Sequence, residues 1–389
     1  MSSPALVCCA GQNGNELYES CLAGNQNGFI MRESLTGGKF PVGHIKWELP
    51  KVDLPELGKQ AFAGDTRIIR VINAALEQLT PAVEKALSRY GRENIGVCLG
   101  SCDNGSEASF MAHNALFEKN AFPEDYDLRF QSASFAAEFV SRKFGLCGPV
   151  FTIATACASG ASAIVRGAEM IRAGFCGAVI AGGADIVSET VFSGFLSLEA
   201  VSDNLSNPFS KNRKGINLGE GAAFFLLDAE EISGVELLGA GESADAYHMT
   251  APGQDGAGPA RAMNVALLDA QIKSDKIDYV NLHGTGTQLN DKAEALAMNA
   301  VFACAPAASS TKPVTGHTLG AAGALEAAIC WTALAEKKGL PVHCWDGAVD
   351  EEVPFVPYDG SGQKTPSICM SNSFAFGGCN VSLILGSRP

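Results

Sequence analysis

Cys157 lies between Thr155-Ala156 and a run of small residues, Ala158-Ser159-Gly160-Ala161-Ser162-Ala163. A cysteine at a helix start is stabilised as thiolate by free backbone N–H groups and the helix dipole, which lowers its pKa and makes it a nucleophile. The small residues leave no bulky side chain on the first two turns, so such a helix can be buried and closely approached. A buried structural thiol is the alternative, and it is the reading for the remaining cysteines.

Two histidines complete the chemistry. His283, in Leu282-His283-Gly284-Thr285-Gly286-Thr287, follows an apolar strand at the place where α/β sheets bind ligands. His317 lies in Thr315-Gly316-His317-Thr318-Leu319-Gly320, with Lys312 just upstream. A single histidine in such a turn is structural as often as functional; the two together with the lysine favour function. Two neutral imidazoles can donate hydrogen bonds to one carbonyl oxygen and stabilise the enolate left when a neighbouring carboxylate departs as carbon dioxide. A zinc site is the competing reading, opposed by the lack of a local ligand pair at metal spacing, so no metal is expected. The loop Ser371-Asn372-Ser373-Phe374-Ala375-Phe376-Gly377-Gly378-Cys379-Asn380 precedes a last apolar strand. It could offer an amide N–H to an oxyanion, with Phe376 as a pocket wall, or be an ordinary turn.

The elements that must position these residues read as α/β. Ile95 to Leu99 and Val150 to Thr155 are apolar strands, followed by a helix from about Cys157 to Ala173, a strand Ala178 to Ala181 ending at Gly182-Gly183, and a strand Gly221 to Leu227. A helix from Thr66 to Tyr90 carries an apolar stripe with a break expected near Pro81, and residues 25 to 65 read as an irregular surface excursion. Later come helices from about Pro259 to Ala270, Asp291 to Phe302 and from near His317, and a strand at Tyr279 to Leu282. Residues 155 to 162 align with 315 to 322 without gaps, placing Cys157 and His317 at equivalent helix starts. Two similar halves, 1–230 and 231–389, are expected.

The bulk properties set limits. With 389 residues the chain exceeds one growing core, and 47% hydrophobic content indicates a packed interior. A formal charge of −14 repels nucleic acid and anionic membranes. No apolar stretch reads as a membrane span, Met1 to Leu6 lacks the features of a secretory signal, and thirteen scattered cysteines without a paired Cys-x-x-Cys motif suit a reducing compartment; the cytoplasm is expected.

Together these segments resemble the elongating β-ketoacyl carrier-protein synthases of the thiolase superfamily, which bear a Cys-His-His triad. The likeness runs from Gly148-Pro149 through the Cys157 segment, Gly182-Gly183-Ala184, Asp245-Ala246-Tyr247-His248-Met249-Thr250, the His283 segment, Asp291-Lys292-Ala293-Glu294, Ser310-Thr311-Lys312 and Gly316-His317 to Phe376-Gly377-Gly378. It implies a thiolase-like five-layered αβαβα fold of two pseudo-symmetric halves, no cofactor, and a homodimer or a heterodimer with a related ketosynthase subunit. It implies an acyltransferase that performs decarboxylative Claisen condensation of an acyl thioester with malonyl-acyl carrier protein, in fatty acid or polyketide/aryl-polyene elongation. Cys157 would carry the acyl group, with the N–H groups of Cys157 and Phe376 as oxyanion hole. His283 and His317 would act on the malonyl group, Lys312 would hold His283 and the local charge, and Glu294 would be structural or water-binding. Phe376 would gate the acyl pocket, moving with the Asp245 to Thr250 loop.

This chain departs from the family pattern in several places. Ala375 replaces a glycine before the gate, and Gly286 replaces a serine. Cys102, Asp103 and Asn104 stand where a small or apolar run borders the acyl pocket, which disfavours a long saturated chain. An acidic carrier protein needs a local basic patch on so acidic a protein: Lys211, Arg213 and Lys214, with Arg67 and Arg70 as companions, are candidates, and a solvated loop is the alternative. His317 argues against a starter-unit condensing enzyme or a thiolase. A non-catalytic chain-length-determining partner of a ketosynthase is the rival from another class, and Cys157 argues against it.

Overall fold

The computed structural model describes residues 1–52, 65–103, 105–124, 126–230, 234–361 and 365–386. The first strands are β1 (Ala5–Cys8), β2 (Phe29–Glu33), β3 (Lys39–Gly43), β4 (Ile95–Gly100), β5 (Val150–Ile153), β6 (Ala178–Asp185) and β7 (Gly221–Asp228). The later ones are β8 (Glu236–Ala244), β9 (Tyr279–Asn281), β10 (Ala307–Ser309), β11 (Ile368–Phe374) and β12 (Cys379–Gly386). Around them lie α1 (Gly14–Ala23), α2 (Arg67–Tyr90), α3 (Ser106–Lys119), α4 (Phe135–Phe144), α5 (Ser159–Arg172) and α6 (Glu189–Ser197). The remaining helices are α7 (Ala257–Ala270), α8 (Gln288–Val301), α9 (Lys312–Thr315) and α10 (Ala322–Glu336).

Two five-stranded sheets have one topology. The first runs β1-β7-β6-β4-β5 and the second β8-β12-β11-β9-β10. In each, the first two pairings are antiparallel and the last two parallel. The sheets are therefore mixed, where the strand–helix–strand order alone had pointed to parallel character. Helices α2 and α4 cover the outer face of the first sheet, α7 and α8 the outer face of the second, and α5 with α10 fill the space between. This is the five-layered arrangement.

The middle layer explains the small-residue runs. Ser159, Gly160, Ala161, Ser162 and Ala163 are all buried, and a Cβ on Gly323 would lie 2.7 Å from that of Ala161. Larger side chains would hold the two central helices apart and separate the turns in front of them. The same layer holds the one described stretch that is long and apolar enough to cross a membrane, Leu319–Glu336, and 83% of it is buried within the protein. Its many alanines and glycines hide the length of this stretch in the sequence, where no membrane span is expected.

Three other expectations change. Strand β6 continues through Gly182-Gly183 to Asp185, because glycine at 182 lets β7 approach where a Cβ would strike the Ala223 carbonyl. Helix α2 runs unbroken past Pro81: Glu77, whose carbonyl loses its partner there, is on the exposed face, where water can replace the bond. Residues 25 to 65 are not wholly irregular, since β2 and β3 pair as a hairpin across Gly37 (φ 87°) and Gly38 (φ 93°). The hairpin is tied to the body where Gly43 donates to the Leu218 carbonyl at 2.8 Å.

Candidate active site

Cys157 occupies a single 3-10 turn, Ala156–Ala158, in front of α5. Ala156 adopts φ 49°, a conformation few non-glycine residues take, and Leu319 repeats it (φ 52°) at the start of the 3-10 turn Leu319–Ala321 before α10. The two central helices thus correspond with Ala156 matched to Leu319 and Cys157 to Gly320, so His317 lies three residues ahead of the place equivalent to Cys157, not at it as the alignment of residues 155 to 162 with 315 to 322 predicts. Ser159 locks the turn: its hydroxyl accepts from the Thr155 N–H at 2.9 Å and donates to the Ala156 carbonyl at 2.6 Å. The expected standing thiolate is not what this geometry produces. Cys157 is only 5% exposed, and burial pushes its thiol up to about 12, against the opposing pull of Lys312 and the Phe376 N–H. Desolvation outweighs the helix dipole, so the resting group is a thiol.

His317 lies beside it, with Nε2 2.9 Å from the Cys157 sulfur. Burial, then the charge of Lys312, holds this imidazole well below its usual range, so it is neutral and able to accept the thiol proton. Its backbone is clamped by the segment ahead of β7: His317 donates to the Asn217 carbonyl at 2.7 Å, and Gly219 donates to the His317 carbonyl at 3.0 Å. Neither Asn217 nor this clamp was read from the sequence.

His283 meets His317 edge to face, ring centroids 5.4 Å apart. The Lys312 ammonium approaches its Nδ1 at 3.3 Å and donates to its carbonyl at 2.5 Å. An ammonium can only donate, so Nδ1 accepts and the ring proton sits on Nε2, leaving His283 a hydrogen-bond donor. Burial, then Lys312 and His317, keeps it neutral. The reactive atoms of Cys157, His283 and His317 lie within 4.8 Å of one another. By distance alone they could also ligate a soft metal ion; the ammonium that disfavours protons on both rings disfavours a dication as well.

Two carboxylates support the histidines. Glu294 accepts the N–H groups of His283 at 2.8 Å and Gly284 at 2.7 Å, fixing the turn after β9, while burial pushes its carboxyl up to about 8. Glu326 was missed. It pairs with Lys312 inside the protein, and burial lifts its carboxyl to about 7 against the pull of that ammonium. Its position on the buried face of α10, nine residues after His317, was the available signal. His343 shows the contrasting case of a satisfied core histidine: it accepts from Ser310 and bonds to the Pro208 carbonyl.

A cleft of about 510 Å³ opens onto Cys157, His283 and His317, with Phe195, Phe376 and Lys214 on its walls. Phe376 stacks on Phe195 at 5.9 Å between centroids. The loop bearing Phe376 is fastened to the Asp245–Thr250 segment: Gly377 donates to the Met249 carbonyl at 2.7 Å and Asp245 to the Gly378 carbonyl at 2.9 Å. Ala375 is extended (φ −105°), a conformation open to any residue, so its Cβ brings no strain to this state of the loop.

Other residues singled out from the sequence lie elsewhere. Arg213 borders the cleft but is 4% exposed, bonded through Nη1 to Asp350 at 2.5 Å, so it offers nothing to an outside partner. Arg67 is committed to buried Glu220 and Arg70 to Asp65. Lys211 and Lys214 are exposed. Cys102 and Asp103 turn their amides to Asp185 and do not line the cleft, and Asn104 lies outside the described residues.

The chain matches the sequence signature of the β-ketoacyl synthase N-terminal domain over residues 53–232 and of its C-terminal domain over residues 235–343. It is 38% identical to a 3-oxoacyl-[acyl-carrier-protein] synthase 2 of Coxiella burnetii, over 98% of this chain and 96% of that protein. It is 34% identical to nodulation protein E of Rhizobium meliloti, over 92% and 90% respectively. Among solved structures, one chain of the complex between a ketosynthase and its chain length factor from Xenorhabdus doucetiae superposes with a TM-score of 0.94 at 37% identity, covering 100% of this chain and 97% of that one.

Proposed function

The chain belongs to the β-ketoacyl synthase family, and we propose that Cys157, His283 and His317 carry its decarboxylative Claisen condensation of an acyl thioester with malonyl-acyl carrier protein. The enzyme is a 3-oxoacyl-[acyl-carrier-protein] synthase, an acyltransferase of fatty acid or polyketide type. The observation that carries the residue assignment is the Cys157 sulfur 2.9 Å from a neutral imidazole, with a second neutral imidazole beside it.

In the first half-reaction the Cys157 sulfur attacks the thioester carbonyl as its proton passes to His317 Nε2. The N–H groups of Cys157 and Phe376 receive the oxyanion, and the carrier thiolate leaves with the proton that His317 took from Cys157, which returns His317 to its neutral form. In the second, the malonyl carboxylate leaves as carbon dioxide, and its bonding pair flows into an enolate whose oxygen takes hydrogen bonds from Nε2–H of His283 and from Nε2–H of His317, whose Nδ1 has no partner among the described residues to hold the other tautomer. The enolate carbon then attacks the acyl carbonyl on Cys157 and expels the sulfur as thiolate, releasing the 3-oxoacyl product; the thiolate takes one proton from solvent, which replaces the carboxylate's charge lost with carbon dioxide. Lys312 sets the His283 tautomer throughout, and Glu294 holds its turn.

Several further assignments belong to this proposal. The halves are 1–230 and 231–389. A dimer, with a second copy or a related ketosynthase subunit, is supported by the unpaired edge of β5, where Phe151 is 52% exposed. Exposed Lys214, on the cleft wall with only a long 3.8 Å approach to exposed Asp203, and exposed Lys211 three residues before it are the surface for the carrier protein. All thirteen cysteines are free, which suits the cytoplasm. A placed nucleophile and proton acceptor oppose a non-catalytic chain-length role.

The test is mass spectrometry after incubation with a panel of acyl carrier proteins. An acyl mass on Cys157, discharged with carbon dioxide release when malonyl-acyl carrier protein is added, is the expected result. An adduct mapped to another cysteine would overturn the assignment.

A further inference from the structure

Asp185 ends β6 and is 1% exposed. Among the described residues it pairs with no lysine, arginine or histidine. Its two oxygens instead take the amide N–H groups of Cys102 at 3.0 Å, Asp103 at 2.9 Å and Gly320 at 2.5 Å, with the Ser101 hydroxyl at 2.8 Å. Backbone amides only donate, so this nest is built for the ionised carboxylate. Burial, then the charge of Asp103, pushes the carboxyl up to about 7 while the donors hold it down.

The partners show what the carboxylate joins. Cys102 and Asp103 follow β4 in the first sheet. Gly320 lies three residues after His317 and introduces α10 from the other half. The Gly320 carbonyl is packed against Gly160, three residues after Cys157, where a Cβ would come within 2.6 Å of that oxygen. A Cβ on Gly320 itself would stand 2.6 Å from the Asp185 carboxylate and 2.9 Å from the Cys102 nitrogen. The turns carrying the thiol and the imidazole therefore touch at Gly160 and Gly320, and Asp185 bonds to one of them.

Resting on the condensation reading above, we propose that Asp185 is a positioning residue that fixes His317 against Cys157 through the Gly320 amide. Asparagine has the same shape; its oxygen keeps the place of Oδ1, which takes the Ser101 hydroxyl and the Cys102 and Asp103 N–H groups, so its NH2 faces the Gly320 N–H and that bond is lost. Asp185→Asn lowers kcat for condensation about tenfold to a hundredfold, as expected for one charge-assisted hydrogen bond, and leaves KM for malonyl-acyl carrier protein within about twofold. Gly320→Ala displaces the same contact from the other side and reproduces the loss. Because both act on one contact, the double variant falls little further than the worse single variant; separate structural effects multiply.

Purified wild type, both single variants and the double variant are assayed for acyl loading and for 3-oxoacyl product, with thermal melting as the folding control. Wild-type turnover in Asp185→Asn, or losses that multiply in the double variant, overturns the inference while the condensation reading stands. Wild type that forms neither adduct nor product overturns that reading itself. Should Asp185→Asn fail to fold, Gly320→Ala decides alone: a folded variant with unchanged kcat refutes the positioning role.

Discussion

Replacing Glu220 by glutamine removes the fastening of the segment that clamps His317, and the loss varies with pH in a calculable way. Glu220 is 2% exposed; it accepts Arg67 Nε at 2.7 Å, the Ile45 N–H at 2.8 Å and His44 Nδ1 at 2.8 Å. Burial alone would raise its carboxyl, but the bonds from Arg67 and His44 outweigh it and bring the pKa from 4.5 down to about 2. At about 1.4 kcal/mol per tenfold, that difference is worth about 3 kcal/mol at pH 7. The folded value lies below the unfolded one, so the contribution is complete above pH 4.5 and disappears as the pH falls toward 2. About 2 kcal/mol remains at pH 3.5 by the same linkage. Urea unfolding of wild type and Glu220→Gln at both pH values measures the gap from the midpoints at a common slope. The gap should narrow by about 1 kcal/mol on acidification. A gap of equal size at both pH values would refute the reasoning, because the ionised carboxylate would then not be the stabilising species.

The remaining expectations concern the site. His317→Ala slows acylation of Cys157 about a hundredfold at pH 7, and the rate rises with pH as hydroxide takes over the proton; stopped-flow loading followed by mass spectrometry reads both. Lys312→Met strands the buried Glu326 carboxylate and costs about 3–5 kcal/mol in denaturant unfolding, while Lys312→Met/Glu326→Leu recovers stability without recovering decarboxylation. Ala375→Gly changes kcat less than about twofold, since the extended backbone there needs no glycine. Lys211→Glu with Lys214→Glu raises KM for the carrier-bound substrate severalfold and leaves turnover of a small thioester analogue unchanged, measured at low salt, where surface charge acts most strongly.

What the sequence made legible was local. Cys157 and His317 stood out because each precedes a small-residue helix, and His283 because it ends a strand in a glycine-rich turn. The layered architecture was legible through the buried runs of β4 and β6, whereas the alignment of residues 155 to 162 with 315 to 322 found the two central helices but set them three residues out of register. Partners distant in sequence were not. Arg213 reads as a basic surface residue until Asp350, 137 residues away, is seen beside it. The amides of Cys102 and Asp103 serve a carboxylate more than 80 residues on, a partner that no local pattern indicates. The thiol's pKa was misjudged for a related reason: the helix-start argument counts nearby dipoles but not the desolvation that the rest of the fold imposes.

The glycine contact between the two central turns means that one half supplies the sulfur and the other both rings. Their separation is thus set by how firmly two sheets and two helices close on one another, and a few tenths of an ångström of slack there is felt at the reacting atoms before any strand is lost. Turnover becomes a strain gauge for that seam: sub-denaturing urea should abolish condensation at concentrations where circular dichroism still reports an intact fold.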